Sequence, residues 1–348
     1  GIKAYEAVRG KPYWEIERQD RWEWGDAYYQ CDREIPGWLD FLAVWSRHDA
    51  ADDAAYRLGR CYEITGQYAE ALRWLDAVPT LGDSQMNYHA QKRIVWILDV
   101  MLDEPALQAL QPHVSPDLQP ALAYTAAVKQ MRTGHYAEAV TAFDALLARW
   151  DGTPLTLAST EPDFWGKAKQ QRNKAARLAE LAATNTPQAR YDLAAFMFHE
   201  DFLFYNYLWA GGRQYYYMDA EQAVEREKKP EVVRWVAEQN NLIQSLAAFD
   251  NVPAPLQDKA AYSKGLALAQ LLGYGRDVSL WRRSAQLQAD AVATLEAFVA
   301  EYPTSPLAPD ALLSLGFIQR DNAYFQRLLR EYPTSNAAVT ARMQLAPR

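Results

Sequence analysis

GQYAEALRWLDA at 66–77 recurs as GHYAEAVTAFDA at 134–145. The copies begin 68 residues apart, which is twice a period of 34. Each shared position has the size that two antiparallel packed helices require. Gly66 and Gly134 make the turn, Tyr68 and Tyr136 fill a groove, and Ala71 and Ala139 are small where the helices cross. Upstream of the first copy, Tyr56, Leu58, Gly59 and Tyr62 supply the inner face of the preceding helix, with Gly59 at the closest approach. Trp74 and Leu75 then reach the following unit.

Working outward, the chain reads as helices throughout. Valine and isoleucine are sparse, alternation never persists, and alanine with leucine dominates. Apolar residues at three- and four-residue steps predict helices near 36–47, 51–65, 68–77, 85–102, 104–111, 119–132, 136–149, 162–183, 187–209, 218–228, 230–248, 256–273, 277–301, 306–319 and 321–331. Gly66, Pro79, Gly82, Pro112, Pro116, Gly134, Gly152, Pro154, Pro187, Pro230, Pro253, Pro303 and Pro333 punctuate them. Short helices in pairs imply an all-α solenoid or an irregular bundle.

The residues of the repeated string resemble the tetratricopeptide repeat, a helix-turn-helix of about 34 residues. The unit at 51–84 matches it well. The unit at 120–153 matches in its second helix through Gly134, Tyr136, Ala139 and Phe143, while Ala126, Ala127 and Gln130 stand at its first-helix positions. The 34 residues between keep the length and lose the motif, with Val100 at the place of the turn glycine and Pro105 at that of the small alanine. A second repeat closes the chain: FVAEYPTS at 298–305 returns as LLREYPTS at 328–335. Its spacing of 30 is about one helical turn short, and the shortfall lies at 319–323, where the Gly-x-Tyr turn is missing. Pro303 and Pro333 drive the preceding residue out of the α region, and Ser305 and Ser335 are placed to cap the next helix. With the stretch 308–316 that follows, this pattern is similar to the tetratricopeptide variant of bacterial envelope proteins, such as outer-membrane assembly lipoproteins and the periplasmic partner of the Tol system. Residues 155–250 match no pattern of this kind.

The composition excludes several classes. The 348 residues are 49% hydrophobic and 13% aromatic, too rich for a disordered chain. A net charge of -8 removes the electrostatic footprint of a nucleic-acid binder and disfavours an acidic partner. Apolar runs fall short of the ~18 residues that span a bilayer. The chain opens on Gly1 without Met, which fits processing or trimming and leaves room for a removed export signal or an N-terminal membrane anchor. Cys31 and Cys61 form no CxxC motif, and the helix-like stretches around them favour free thiols over a disulfide.

No catalytic or metal constellation stands out. The five histidines, at 48, 89, 113, 135 and 199, form neither HxxxH nor HExxH, and His199, Glu200 and Asp201 point in different directions on a helix. Gly211-Gly212-Arg213 follows a helix rather than a strand, so it reads as a helix end and not as a phosphate cradle. Gly273-Tyr274-Gly275 reads the same way. Asp52-Asp53 and Glu15/Glu17 are paired carboxylates in a chain where carboxylates abound. No cofactor is expected.

The aromatic excess is the anomaly. One cluster comprises Trp14, Trp22, Trp24, Tyr28, Tyr29, Trp38, Phe41 and Trp45; another runs from Phe196 to Tyr217. In the second, Phe198, Phe202, Tyr205 and Trp209 share one helix face, while Phe204, Tyr207 and Leu208 populate others. The bland reading is a thick core at a junction of two solenoid halves. The functional reading is an aromatic-lined partner groove with Tyr205, Trp209, Arg213, Tyr215, Tyr216 and Tyr217 as contacts. The expected organisation is an aromatic-rich segment (1–50), repeats (51–154), an irregular helical junction (155–250) and C-terminal repeats (251–348), within an all-α, right-handed tetratricopeptide-type solenoid. The resemblance implies a non-enzymatic scaffold that binds a protein or peptide partner on its concave face, and its C-terminal variant implies a periplasmic or outer-membrane-associated location. The rivals are the helical superstructure of a peptidoglycan-processing lytic enzyme and a cytoplasmic regulator.

Overall fold

The structure is a computed structural model that describes residues 1–20, 29–82, 86–155, 157, 163–209, 229–273 and 284–346. The expected helix at 218–228 lies outside these. Among the described residues there is no strand, and the helices pair as hairpins. Two compact units emerge. One holds Gly1–Arg172 and Asn206–Tyr215; the other holds Asn173–Tyr205 and Tyr216–Arg348.

The first unit begins with α1 (Ile2–Arg9), α2 (Tyr13–Asp20) and α3 (Cys31–Trp45). Its repeats are the hairpin α4 (Ala51–Ile64) with α5 (Tyr68–Leu81), the pair α6 (Met86–Trp96) with α7 (Glu104–Leu110), and the hairpin α8 (Gln119–Arg132) with α9 (Tyr136–Trp150). Gly66 and Gly134 take φ of 76° and 84°, the left-handed conformation of a tight helix-helix turn. A Cβ on Gly59 would stand 2.7 Å from Leu75 Cγ, so the close approach expected there is real. Ala71 and Ala139 are fully buried at the crossings.

The middle pair shows how the motif can be lost while its length is kept. Instead of one helix over 85–102, α6 runs to Trp96 and widens into a π turn at Ile97–Met101, closed by Leu102 N–H donating to Ile97 O at 3.1 Å. Val100 therefore never needs the left-handed conformation that a turn glycine would supply. Asp103 caps α7 by accepting from Ala106 N–H at 3.0 Å, and Pro105 sits in the first turn, where a missing N–H costs nothing.

The helix α10 (Phe164–Ala183) contains the division between the units. The second unit continues through α11 (Pro187–His199), α12 (Pro230–Gln239), α13 (Asn241–Asp250), α14 (Gln257–Gly273), α15 (Ser284–Glu301), α16 (Ala308–Gln319), α17 (Asn322–Glu331) and α18 (Asn336–Leu345). Two expected helices are corrected. The one over 230–248 breaks at Asn240, whose side chain accepts from Leu242 and Ile243 N–H at 3.0 and 3.3 Å and starts a new helix. The one over 187–209 ends at His199, and Phe202 takes a positive φ of 55°. The shared face drawn for Phe198, Phe202, Tyr205 and Trp209 therefore does not exist. A run that is apolar all round holds no single buried stripe, so the chain can turn and bury its residues on both sides.

At the C-terminal end, Arg320 adopts φ 54° and does the work of the missing turn glycine, while Asp321 caps α17. Ser335 caps α18 as expected, accepting from Ala338 N–H at 3.2 Å. Ser305 acts earlier than expected: it accepts from Leu307 N–H and donates to Asp258 at 2.9 Å. Tyr332 O–H donates to the Pro303 carbonyl at 2.7 Å, tying one repeat to the other. Phe298, Leu312, Leu315 and Leu328 form the core beneath them.

Candidate protein-interaction site

In a stack of hairpins the first helices line one face. In the first unit these are α4, α6 and α8. The structure shows what lies on that face: other parts of the same chain.

Every side chain of α4 from Ala51 to Glu63 is buried. Segments at the start of the chain cover it. Tyr13 O–H donates to Asp53 at 2.9 Å, and Arg57 donates to the Ile16 carbonyl at 3.2 Å. The Arg57 guanidinium lies 5.9 Å from the Tyr29 ring centre, and that of Arg60 lies 5.5 Å from it. Glu34, from α3, accepts from Arg9, from Gln30 N–H at 2.8 Å and from Trp38 Nε1 at 3.2 Å. Glu63 sits between Arg60 and Arg93. Burial raises its carboxyl, but the two guanidiniums outweigh burial and hold it below the ordinary value.

On α6 and α8 the occupant is the segment 206–209. Its anchor is Asp99, which the π turn directs inward and which has no exposed surface. Asp99 Oδ1 accepts from Arg132 Nη1 at 2.7 Å and from Asn206 Nδ2 at 3.1 Å. Oδ2 accepts from Trp209 Nε1 at 2.8 Å. Lys129 Nζ caps the Asp99 carbonyl at 2.7 Å. Asn206 also donates to Thr125 Oγ1 at 3.1 Å, and Tyr124 O–H accepts from Tyr207 N–H at 3.2 Å while donating to Gln171. Burial raises the Tyr124 hydroxyl well above its ordinary value, which keeps the donated proton in place. Trp209 meets Trp96 edge-on at 6.3 Å, and Lys167 lies 5.6 Å from the Tyr207 ring centre. Side chains of first helices thus hold both the backbone and the side chains of a non-helical segment. A groove that receives a peptide does the same chemistry.

Burial alone raises the Asp99 carboxyl. The charges of Arg132 and Lys129, with the bonds from Arg132 and Trp209, outweigh it and hold Asp99 below the ordinary carboxylate value. It stays charged at neutral pH in a site closed to water.

The candidate contacts read from the sequence divide accordingly. Trp209 is 6% exposed and belongs to the Asp99 anchor; Tyr205 is 4% exposed and packs edge-on with Phe202 at 5.7 Å. Arg213, Tyr215, Tyr216 and Tyr217 lie outside the described residues. Asp99 and Asn206 had no sequence signal: a lone acid and a lone amide carry no motif, and the π turn that aims Asp99 has no signature. Tyr88, Gln91 and Lys92 of α6 stand at the rim beside Leu208 and Trp209. The second unit has a separate groove of about 500 Å³ between α13 and α15, floored by Ala260 and Ala261 of α14 and edged by the Lys264–Asp250 ion pair at 2.6 Å.

Among the described residues, no group of three or more His, Cys, Asp or Glu side chains could hold a metal ion. No helix there is long and apolar enough to cross a membrane. Residues 40–85 match the family model of the tetratricopeptide repeat, covering the end of α3 and the hairpin α4–α5. Repeats of this kind generally mediate protein–protein interaction. No curated protein matches the chain.

Proposed function

We propose that this protein is a non-enzymatic scaffold that holds partner segments on the first-helix faces of its hairpins. The observation that carries the reading is the seat of 206–209. There Asp99, Thr125 and Tyr124 take an Asn side chain, a Trp indole and a backbone N–H of a non-helical stretch. These are the contacts by which such a face would grip another chain. The non-enzymatic part is supported by what the buried carboxylates do: Glu34, Glu63 and Asp99 are each paired with arginine and spent on packing. The envelope of a bacterium is proposed as the place of action, supported by the paired EYPTS strings at 301–305 and 331–335.

A photo-crosslinking side chain at Gln91, on the rim, tests the reading against one at Arg73, on the exposed side of α5. The expected result is a partner peptide linked from position 91 alone and displaced by a synthetic peptide of residues 203–209. Equal labelling from both positions, or labelling that the peptide does not compete, would overturn it.

A further inference from the structure

Away from the first-helix face, the first unit has a cavity of about 610 Å³ that shares no residue with the seat of 206–209. One wall is the connection from α7 to α8, with Pro112, Val114 and Pro116; the other is the end of α9, with Arg149 and Trp150. The connection is held in place from within. Gln119 Nε2 donates to the Gln111 carbonyl at 2.7 Å, and the two prolines fix their own φ. Ser115 Oγ donates to Asp76 of α5 at 2.6 Å and accepts from Leu118 N–H at 3.3 Å. On the other wall, Thr153 N–H and Oγ1 donate to the Trp150 carbonyl at 2.9 and 2.7 Å.

The charge in this cavity is uncompensated. The Arg149 guanidinium lies 4.4 Å from the Trp150 ring centre, a contact that leaves its N–H donors for other groups. Other arginines on helix surfaces meet an acid: Arg73 meets Glu70, Arg172 meets Asp144 and Arg177 meets Glu180, at 2.7, 2.8 and 2.7 Å. Arg149 is exposed and has no acid partner among the described residues. The acids next to the walls in sequence, Asp117 and Asp151, do not line the cavity, and Asp151 is paired with Lys169 at 2.7 Å.

We propose that this cavity is a second binding site, for an extended segment of a partner protein in which one carboxylate side chain stands beside an apolar residue. Arg149 takes the carboxylate, whose two oxygens match the fork of a guanidinium. Pro112, Val114 and Pro116 take the apolar side chain. Pro112, Pro116 and Arg149 are exposed, so the site is open to solvent. An open site does not give a free small acid the roughly 70–90% burial typical of small-molecule pockets, whereas a chain segment is held along its length. The net charge of -8 opposes a strongly acidic partner, but at physiological salt a lone carboxylate responds mainly to charges within about 8 Å. The inference goes beyond the scaffold reading and does not depend on the seat of 206–209.

The full chain is titrated in a calorimeter with short end-blocked peptides, each holding a single Glu next to Leu, Phe or Pro in a Gly-Ser background. Each is paired with a twin carrying Gln in place of Glu. At least one Glu peptide should bind about tenfold more tightly than its twin, and the preference should shrink as salt is raised. Arg149→Gln should abolish the preference without moving the melting temperature, because the side chain is exposed. Arg177→Gln, which removes a surface arginine elsewhere, should keep it. Crosslinking from position 91 should be the same in Arg149→Gln as in the parent, so failure here and failure of the scaffold reading are read separately. No binding of any Glu peptide up to about 1 mM, equal binding of the twins, or a preference that survives Arg149→Gln would overturn the proposal.

Discussion

Asp99→Asn is the most informative single change. The side chain keeps its size, but one acceptor oxygen becomes a donor NH₂. Oδ1 holds Arg132 Nη1 at 2.7 Å and Asn206 at 3.1 Å; Oδ2 holds Trp209 at 2.8 Å and Arg132 Nη2 at 3.4 Å. Whichever oxygen is replaced, two donors then face a donor. The change also leaves Arg132, 4% exposed, with its buried counter-charge gone. Breaking a buried pair by removing one partner costs about 3–5 kcal/mol. With m-values of about 2–3 kcal/mol/M for a unit of this size, the urea midpoint read by tryptophan fluorescence should fall by roughly 1–2 M. Arg132→Met should cost a similar amount. The double variant Asp99→Leu/Arg132→Met should cost less than the sum of the single changes, because neither member of the Asp99–Arg132 pair is left buried without the other. An Asp99→Asn chain within about 0.5 kcal/mol of the parent would refute the account of the anchor.

Gly59→Ala should destabilise by about 1–3 kcal/mol and Gly59→Leu by more, since the new Cβ would meet Leu75 Cγ at 2.7 Å; thermal melts check both. Acid should weaken the first unit in a defined window. Glu63 and Asp99 are held below the ordinary carboxylate value when folded, so their stabilisation is complete above about pH 5 and is lost as pH falls through the depressed values. Urea midpoints should be level from pH 7 to about 5 and drop below about 4, with a smaller drop for Glu63→Gln. Purified protein should show no turnover of peptidoglycan or glycan substrates; turnover abolished by one carboxylate substitution would contradict the scaffold reading.

Much of the fold was legible because particular residues are demanded by backbone geometry. Gly66 and Gly134 mark turns that need a positive φ, Gly59 marks a close helix approach, and Asp321 and Ser335 mark helix starts. Each leaves a trace in the local sequence. The break at Asn240 and the end of α11 at His199 left little trace, since neither is marked by glycine or proline. The anchor left none. Asp99 is one of 44 acidic residues, and only the π turn and the arrival of Asn206 and Trp209, more than 100 positions later, give it a role. The excess of aromatic residues around 198–209 includes one member of the anchor, Trp209. Its polar tips find their partners inside the protein: Trp209 uses its indole N–H on Asp99.

The central claim is that the faces of α6 and α8 form a seat for a segment of non-helical chain. The direct measurement uses Asn206→Ala/Trp209→Ala protein that still melts cooperatively, titrated against a labelled peptide of residues 203–209 by fluorescence anisotropy. The account predicts saturable binding with a Kd of about 1–100 μM, weaker binding to the parent chain whose seat is filled, and none when Asp99→Asn is added. No binding to the emptied protein up to about 1 mM, or binding indifferent to Asp99, would contradict it.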